Sequence, residues 1–317
     1  MGARTASVLA CLIALNAWAP AIAADGDRPA PSAEAINPNR FAPVPDAAFG
    51  AFQRGLYRTA YNLALPRAEA GDAAAQALVA DILARGLGLP RNEKAAAGWY
   101  QLAAEQGVPE AQFQYALILM DGRFAAKDTK GAYALLEASA EAGNLLAQFN
   151  LAQLIFKEQP TGDRLTRAVE YYRRAAEAGL PDAQYAMAQI NVEGIAGYPR
   201  DEAKARGWLT RAAQAGFDTA QLDLGTWLVD GRGGDRDQAA GFRWLKTAAE
   251  GGNVAAQNRL AKLYMYGIGT EPDNLFAAAW YMLARRGGLV DPMMEQFMEG
   301  LTDAEKRTAL QRANRLR

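Results

Sequence analysis

The densest group of reactive side chains in this sequence is Asp230, Asp235 and Asp237, set around Gly231, Gly233 and Gly234. Carboxylates on a glycine-rich turn are the hard oxygen ligands that a Ca²⁺ ion takes. The spacing lacks the EF-hand order and its terminal glutamate, and Asp237 stands where a helix N-cap is expected, so no metal is assigned. Gly231-Arg232-Gly233-Gly234 is not followed by Lys-Ser/Thr, so it is no phosphate loop. Histidine is absent. That removes the Ser-His-Asp triad, the Cys-His pair and the HExxH zinc site. The single cysteine, Cys11, allows neither an internal disulfide nor a thiolate cluster. A pair of carboxylates acting as acid and base stays chemically open. No catalytic residue and no cofactor is assigned, and the chain reads as a non-enzyme.

The elements around these residues follow from composition. Half of the 317 residues are hydrophobic, enough for a core, and alanine, the strongest helix former, is abundant. Lys plus Arg number 34 against 35 Asp plus Glu. That balance gives no field to draw in nucleic acid or an anionic membrane.

Residues 1–24 read as a signal peptide. Arg4 supplies the positive start, an apolar stretch runs from Val8 to Ala19, and Ala21-Ile22-Ala23 closes it. The stretch is too short for a stable membrane span. Cleavage near Ala23 is expected to direct the mature chain to the periplasm or the medium. A lipoprotein anchored through Cys11 is the weaker reading, because the apolar core continues past that cysteine. Residues 25–45, with Pro29, Pro31, Pro38, Pro43 and Pro45, read as an extended Pro-rich linker.

The rest repeats. Glutamines at 76, 112, 148, 184, 221 and 257 each follow an alanine, and glycines at 71, 107, 143, 179, 216 and 252 precede them at a fixed step. The steps are 36 residues, with one of 37. Such a period marks a helical solenoid whose units stack into one core. Each unit reads as a helix after the glycine, a break at Gly86, Gly122, Gly194, Gly231 or Gly267, an N-cap, and a second helix. The N-cap column is Asn92, Asp128, Asp201, Asp237 and Asp273; Arg164 departs from it, and Glu158 replaces the break glycine of the third unit. The third linker is therefore expected to be irregular. Large residues at Trp99, Leu135, Tyr171, Trp208, Trp244 and Trp280 are expected to fill the space between stacked helices. Residues 46–71 form an N-terminal half-repeat, 72–288 the six repeats and 289–317 the capping helices. Asp291-Pro292 opens a Met-rich helix, and Thr302 to Glu305 forms a capping box.

These features, Ala-Gln, a Gly-x-Gly break, an Asp-led helix with an aromatic and Ala-Ala-x-x-Gly, resemble the Sel-1-like repeat family of the tetratricopeptide superfamily. Ala75-Gln76 to Gly107 and Ala256-Gln257 to Gly288 are the clearest copies. The resemblance covers about residues 56 to 290. It implies an all-α, right-handed superhelical α-solenoid of six to seven helix-turn-helix repeats that acts as an adaptor in protein complexes. Some cysteine-rich relatives resemble penicillin-binding or β-lactamase-type proteins, but their cysteines are missing here.

Comparison among the copies separates scaffold from surface. The residue four after each glutamine stays small: Ala80, Ala116, Ala152, Ala188, Gly225, Ala261. The residues two, five and nine after it vary and lie on one side of the helix. Gln114, Asn150, Gln153, Gln189, Asp223, Thr226, Arg259 and Lys262 belong to these columns and are the candidate partner-binding residues. The expected function is a protein–protein interaction scaffold or regulatory adaptor of the bacterial envelope, its partner for example an envelope sensor. The alternative is a peptidoglycan-binding or cell-wall hydrolase-like protein.

Overall fold

The computed structural model describes residues 46–158 and 161–316. The expected signal peptide with Cys11 and Ala23, and the Pro-rich linker, lie outside the described residues. Among these residues every regular element is a helix. The chain divides into two compact units, one ending at Gln159 and one beginning at Pro160.

The first unit holds α1 (Ala47–Gln53), α2 (Tyr57–Glu69), α3 (Ala73–Arg85), α4 (Glu93–Glu105), α5 (Pro109–Asp121), α6 (Thr129–Glu141) and α7 (Leu145–Lys157). The second holds α8 (Asp163–Glu177), α9 (Pro181–Glu193), α10 (Glu202–Gln214), α11 (Asp218–Asp230), α12 (Gln238–Glu250), α13 (Val254–Tyr266), α14 (Asn274–Arg286), α15 (Pro292–Glu299) and α16 (Asp303–Arg315). Within each unit, successive repeat helices pack against one another, so that odd-numbered first helices alternate with even-numbered second helices.

Local chemistry sets these boundaries. Asn92, Asp128, Asp201 and Asp237 each accept the N–H three residues on, and Asp273 accepts two. First helices stop at Gly86, Gly122, Gly194, Gly231 and Gly267, all left-handed, a conformation that a Cβ penalises. Glu158 ends α7 with a negative φ, and Gly162, not Arg164, precedes α8 without a side-chain cap. Neither helix end that flanks the third linker therefore carries the cap found at the other linkers.

The glutamine column is largely buried, and its purpose is backbone satisfaction. Gln76, Gln148, Gln184, Gln221 and Gln257 donate from Nε2 to the carbonyl eight residues earlier, at 3.0–3.2 Å. Those carbonyls belong to the last turn of the preceding second helix, where intrahelical partners run out.

The core column differs from expectation. Tyr171 and Trp280 are buried, but Trp99, Leu135, Trp208 and Trp244 are only half-buried. The next residue is buried in all six repeats: Tyr100, Leu136, Tyr172, Leu209, Leu245 and Tyr281. One step along a helix is a rotation of about 100°. At Trp99, Leu135, Trp208 and Trp244 the large column therefore sits at the rim of the core, where Arg211 stacks 4.7 Å from the Trp208 ring, while Tyr171 and Trp280 fill the interior as expected.

The small column marks helix crossings. At Gly225 a Cβ would lie 3.0 Å from the Gly241 carbonyl and 2.7 Å from Leu245, so α11 and α12 approach more closely than alanine permits.

Candidate interaction surface

Within each unit the variable columns lie at graded depth on the first helices. Nine residues past the glutamine, Arg85, Asp121, Lys157, Glu193, Asp230 and Tyr266 are all exposed. Five past it, every residue is half-buried, and two past it all are half-buried except Ala186, which is buried. The eight candidate residues lie on α5, α7, α9, α11 and α13, all of them half-buried.

Their engagements divide them. In the first unit, Asn150 donates to the carbonyl of Leu146 in its own helix, while Gln114 and Gln153 make no side-chain hydrogen bond among the described residues. In the second unit, Gln189 and Thr226 make none either. Asp223 accepts the Tyr185 hydroxyl at 2.9 Å. Burial holds its carboxyl above the usual aspartate range, although Tyr185 and Arg232 pull the other way. Arg259 reaches Asp230 at 3.2 Å. Lys262 lies 2.5 Å from Asp291, whose Oδ2 also accepts from Asn258 at 2.9 Å. Burial pushes Asp291 up, but Lys262, Asn258 and the Met294 N–H outweigh it and bring its pKa down to about 2.

Asp223, Arg259 and Lys262 therefore tie successive repeats together. Tyr185–Asp223 joins α9 to α11, Arg259–Asp230 joins α13 to α11, and Lys262–Asp291 joins α13 to the start of α15. The same device operates on the linkers, where Glu93 meets Arg123 at 3.5 Å and Glu202 meets Arg232 at 3.1 Å. Sequence reasoning missed these bridges. Their signal was opposite charges 29 or 30 residues apart, one repeat less a turn or two of helix.

Asp230, Asp235 and Asp237 do not form a cation site. Asp230 faces Arg259, and Asp237 caps α12. Among the described residues no three acidic side chains are placed to hold a metal. No helix among them is long and apolar enough to cross a membrane.

Comparison with curated proteins returns no match. Among solved structures, a Sel1 repeat protein from Oxalobacter formigenes is 27% identical with a TM-score of 0.63, covering 75% of this chain and 94% of that one. A protective antigen present in uropathogenic Escherichia coli strains, which displays an SLR fold, is 25% identical with a TM-score of 0.52. That match covers 81% of this chain and 63% of the antigen. The family model described as Sel1 repeat matches residues 73–108, 109–144, 145–180, 181–217, 219–253 and 254–289. Proteins of this kind generally mediate protein–protein interaction, and their solenoid is typically a non-catalytic scaffold. With six matches along most of its length, each spanning two consecutive helices of the structure, this chain belongs to the Sel1 repeat family.

Proposed function

We propose that this protein is a non-catalytic scaffold or regulatory adaptor of the bacterial envelope, and that it binds a protein partner through the variable face of its first helices. The observation that supports this is the set Gln114, Gln153, Gln189 and Thr226. These side chains are half-buried, uncharged and without a hydrogen bond among the described residues, while Asp230, Arg259 and Lys262 in the same columns of the second unit are taken up in bridges between repeats. A neutral amide both donates and accepts, so it suits the backbone of an extended polypeptide regardless of its charge. The signal-like residues 1–24 favour a site of action outside the cytoplasm.

The test is photo-crosslinking in cells from Gln153 and from Gln189, with mass spectrometry of the captured material. One dominant protein captured from either position supports the adaptor. Recovery of cell-wall fragments alone would replace it with the peptidoglycan reading.

A further inference from the structure

The second helices of the first unit carry charges placed against their own backbone. Arg58, Lys94 and Lys130 occupy the second position of α2, α4 and α6, and Glu69, Glu105 and Glu141 the last position. All six are exposed. A helix N-terminus carries partial positive charge and a C-terminus partial negative charge, so both placements oppose the macrodipole. The repetition is regular, 36 residues apart in both series. The result is a basic ridge along one edge of the helix row and an acidic ridge along the other.

Midway between the ridges the exposed positions bear no charge, and the one carboxylate there, Glu137 on α6, is half-buried. The exposed positions include Asn62 and Pro66 on α2, Gly98 and Leu102 on α4, and Ala134 and Ala138 on α6. Leu102 is 44% exposed at the centre of this face. Arg67, also exposed, is turned away to Asp46 and Asp72. Ala95, Gly98, Trp99, Gln101 and Leu102 line an open depression of about 410 Å³, and a Cβ on Gly98 would meet nothing. The corresponding columns of the second unit carry charge instead: Arg167, Glu170 and Arg174 on α8, Lys204 and Arg211 on α10, Arg243 on α12.

A surface with a basic edge, a largely uncharged midline and an acidic edge is complementary to itself. Rotating a copy by half a turn about an axis parallel to the direction in which the helices stack brings the faces together. The basic ridge of each copy then lies over the acidic ridge of the other, in register repeat by repeat. On α4 the midpoint between Lys94 and Glu105 falls between Trp99 and Tyr100. Leu102 of one copy consequently lands within about one residue, 1.5 Å of helix rise, of Gly98 in the other. The leucine meets the notch that glycine leaves.

We propose that this face of α2, α4 and α6 is an isologous interface for a second copy of the chain. Three helices about 20 Å long and about 10 Å wide offer roughly 600 Å² per copy, the size of a dissociable dimer. In that dimer each charge that opposes its own helix dipole faces a charge of the opposite sign.

The test uses the purified whole chain, examined by sedimentation velocity at tens of micromolar. Variant one is Arg58→Glu with Lys94→Glu, and variant two is Glu69→Lys with Glu105→Lys. The wild type is expected to dimerise, each variant alone to be monomeric, and an equimolar mixture of the two to form the mixed dimer. Both variants relieve an unfavourable helix-dipole placement, so their thermal midpoints should not fall below that of the wild-type monomer, which separates lost association from lost folding. A monomeric wild type would overturn the proposal. So would dimers that survive both substitutions, or variants that fail to pair with each other.

Discussion

The side-chain amide of Gln257 donates to the carbonyl of Ala249 at 3.2 Å, and the backbone N–H of Gly252 donates to that same carbonyl at 3.1 Å. The two most regular columns of the sequence thus serve one oxygen, using both of its lone pairs. The same arrangement recurs at Ala68, Ala140, Ala176 and Ala213. Replacing Gln257 by leucine keeps the volume and removes the second donor. The expected loss is about 0.5–1.5 kcal/mol, the net value of one hydrogen bond, because the Gly252 N–H still satisfies the carbonyl. A urea midpoint equal to wild type would contradict this role.

One repeat completes the arrangement further. Gln106, the C-cap residue that follows α4, donates to Gln76 Oε1 at 2.7 Å. The C-cap residue that follows α10 is Ala215, and there Gln184 Oε1 is buried without a partner. Ala215→Gln should therefore stabilise the second unit by about 0.5–1.5 kcal/mol, the net value of one hydrogen bond. Thermal melts of the single variant and of Ala215→Gln combined with Gln184→Leu measure it, since the gain should vanish in the double variant.

Leu245 and Trp208 test which column is core. Leu245 is fully buried, and Leu245→Ala should remove about 2–5 kcal/mol. Trp208 is half-buried with one face against Arg211, and Trp208→Ala should remove only about 1–2 kcal/mol. Denaturant melts that ranked tryptophan above leucine would restore the larger column to the interior.

Asp291 makes the C-terminal helices sensitive to acid. Its folded pKa of about 2 lies below the ordinary 3.8, so its ionised form stabilises the fold. That contribution is complete above the ordinary value and is lost as the pH falls from about 4 towards 2. Hydrogen exchange of α15 and α16 should accelerate in this window before that of α9 and α11. Asp291→Asn should exchange faster at neutral pH and lose this acid dependence.

Much of this was legible in the sequence because it is backbone chemistry. A glycine that must adopt positive φ, an aspartate that caps a helix and a glutamine that reaches a fixed carbonyl admit few substitutes, so they recur at the same step. Gly86, Asp237 and Gln257 announced their places in this way. The core column was harder to see. Trp208 draws attention by size, while Leu209, which fills the interior, alternates with tyrosine in other repeats and looks inconspicuous beside it. The candidate surface was the least legible. Arg259 and Lys262 look like groove residues until Asp230 and Asp291 are placed opposite them, and that pairing depends on how one repeat sits on the next. Gln153 and Gln189 are distinguished only by what they do not touch.

The sharing of one carbonyl by a glutamine and a glycine has an evolutionary corollary. Each hairpin closes its backbone with residues that face inward, so duplication of a whole unit supplies every donor and acceptor the new unit needs. Selection on the outward columns then proceeds without risk to that backbone frame, except where Asp223, Arg259 and Lys262 tie one repeat to the next. A lineage built on this module can change what it recognises by point substitution and how far it reaches by copy number, two traits that most folds cannot vary separately.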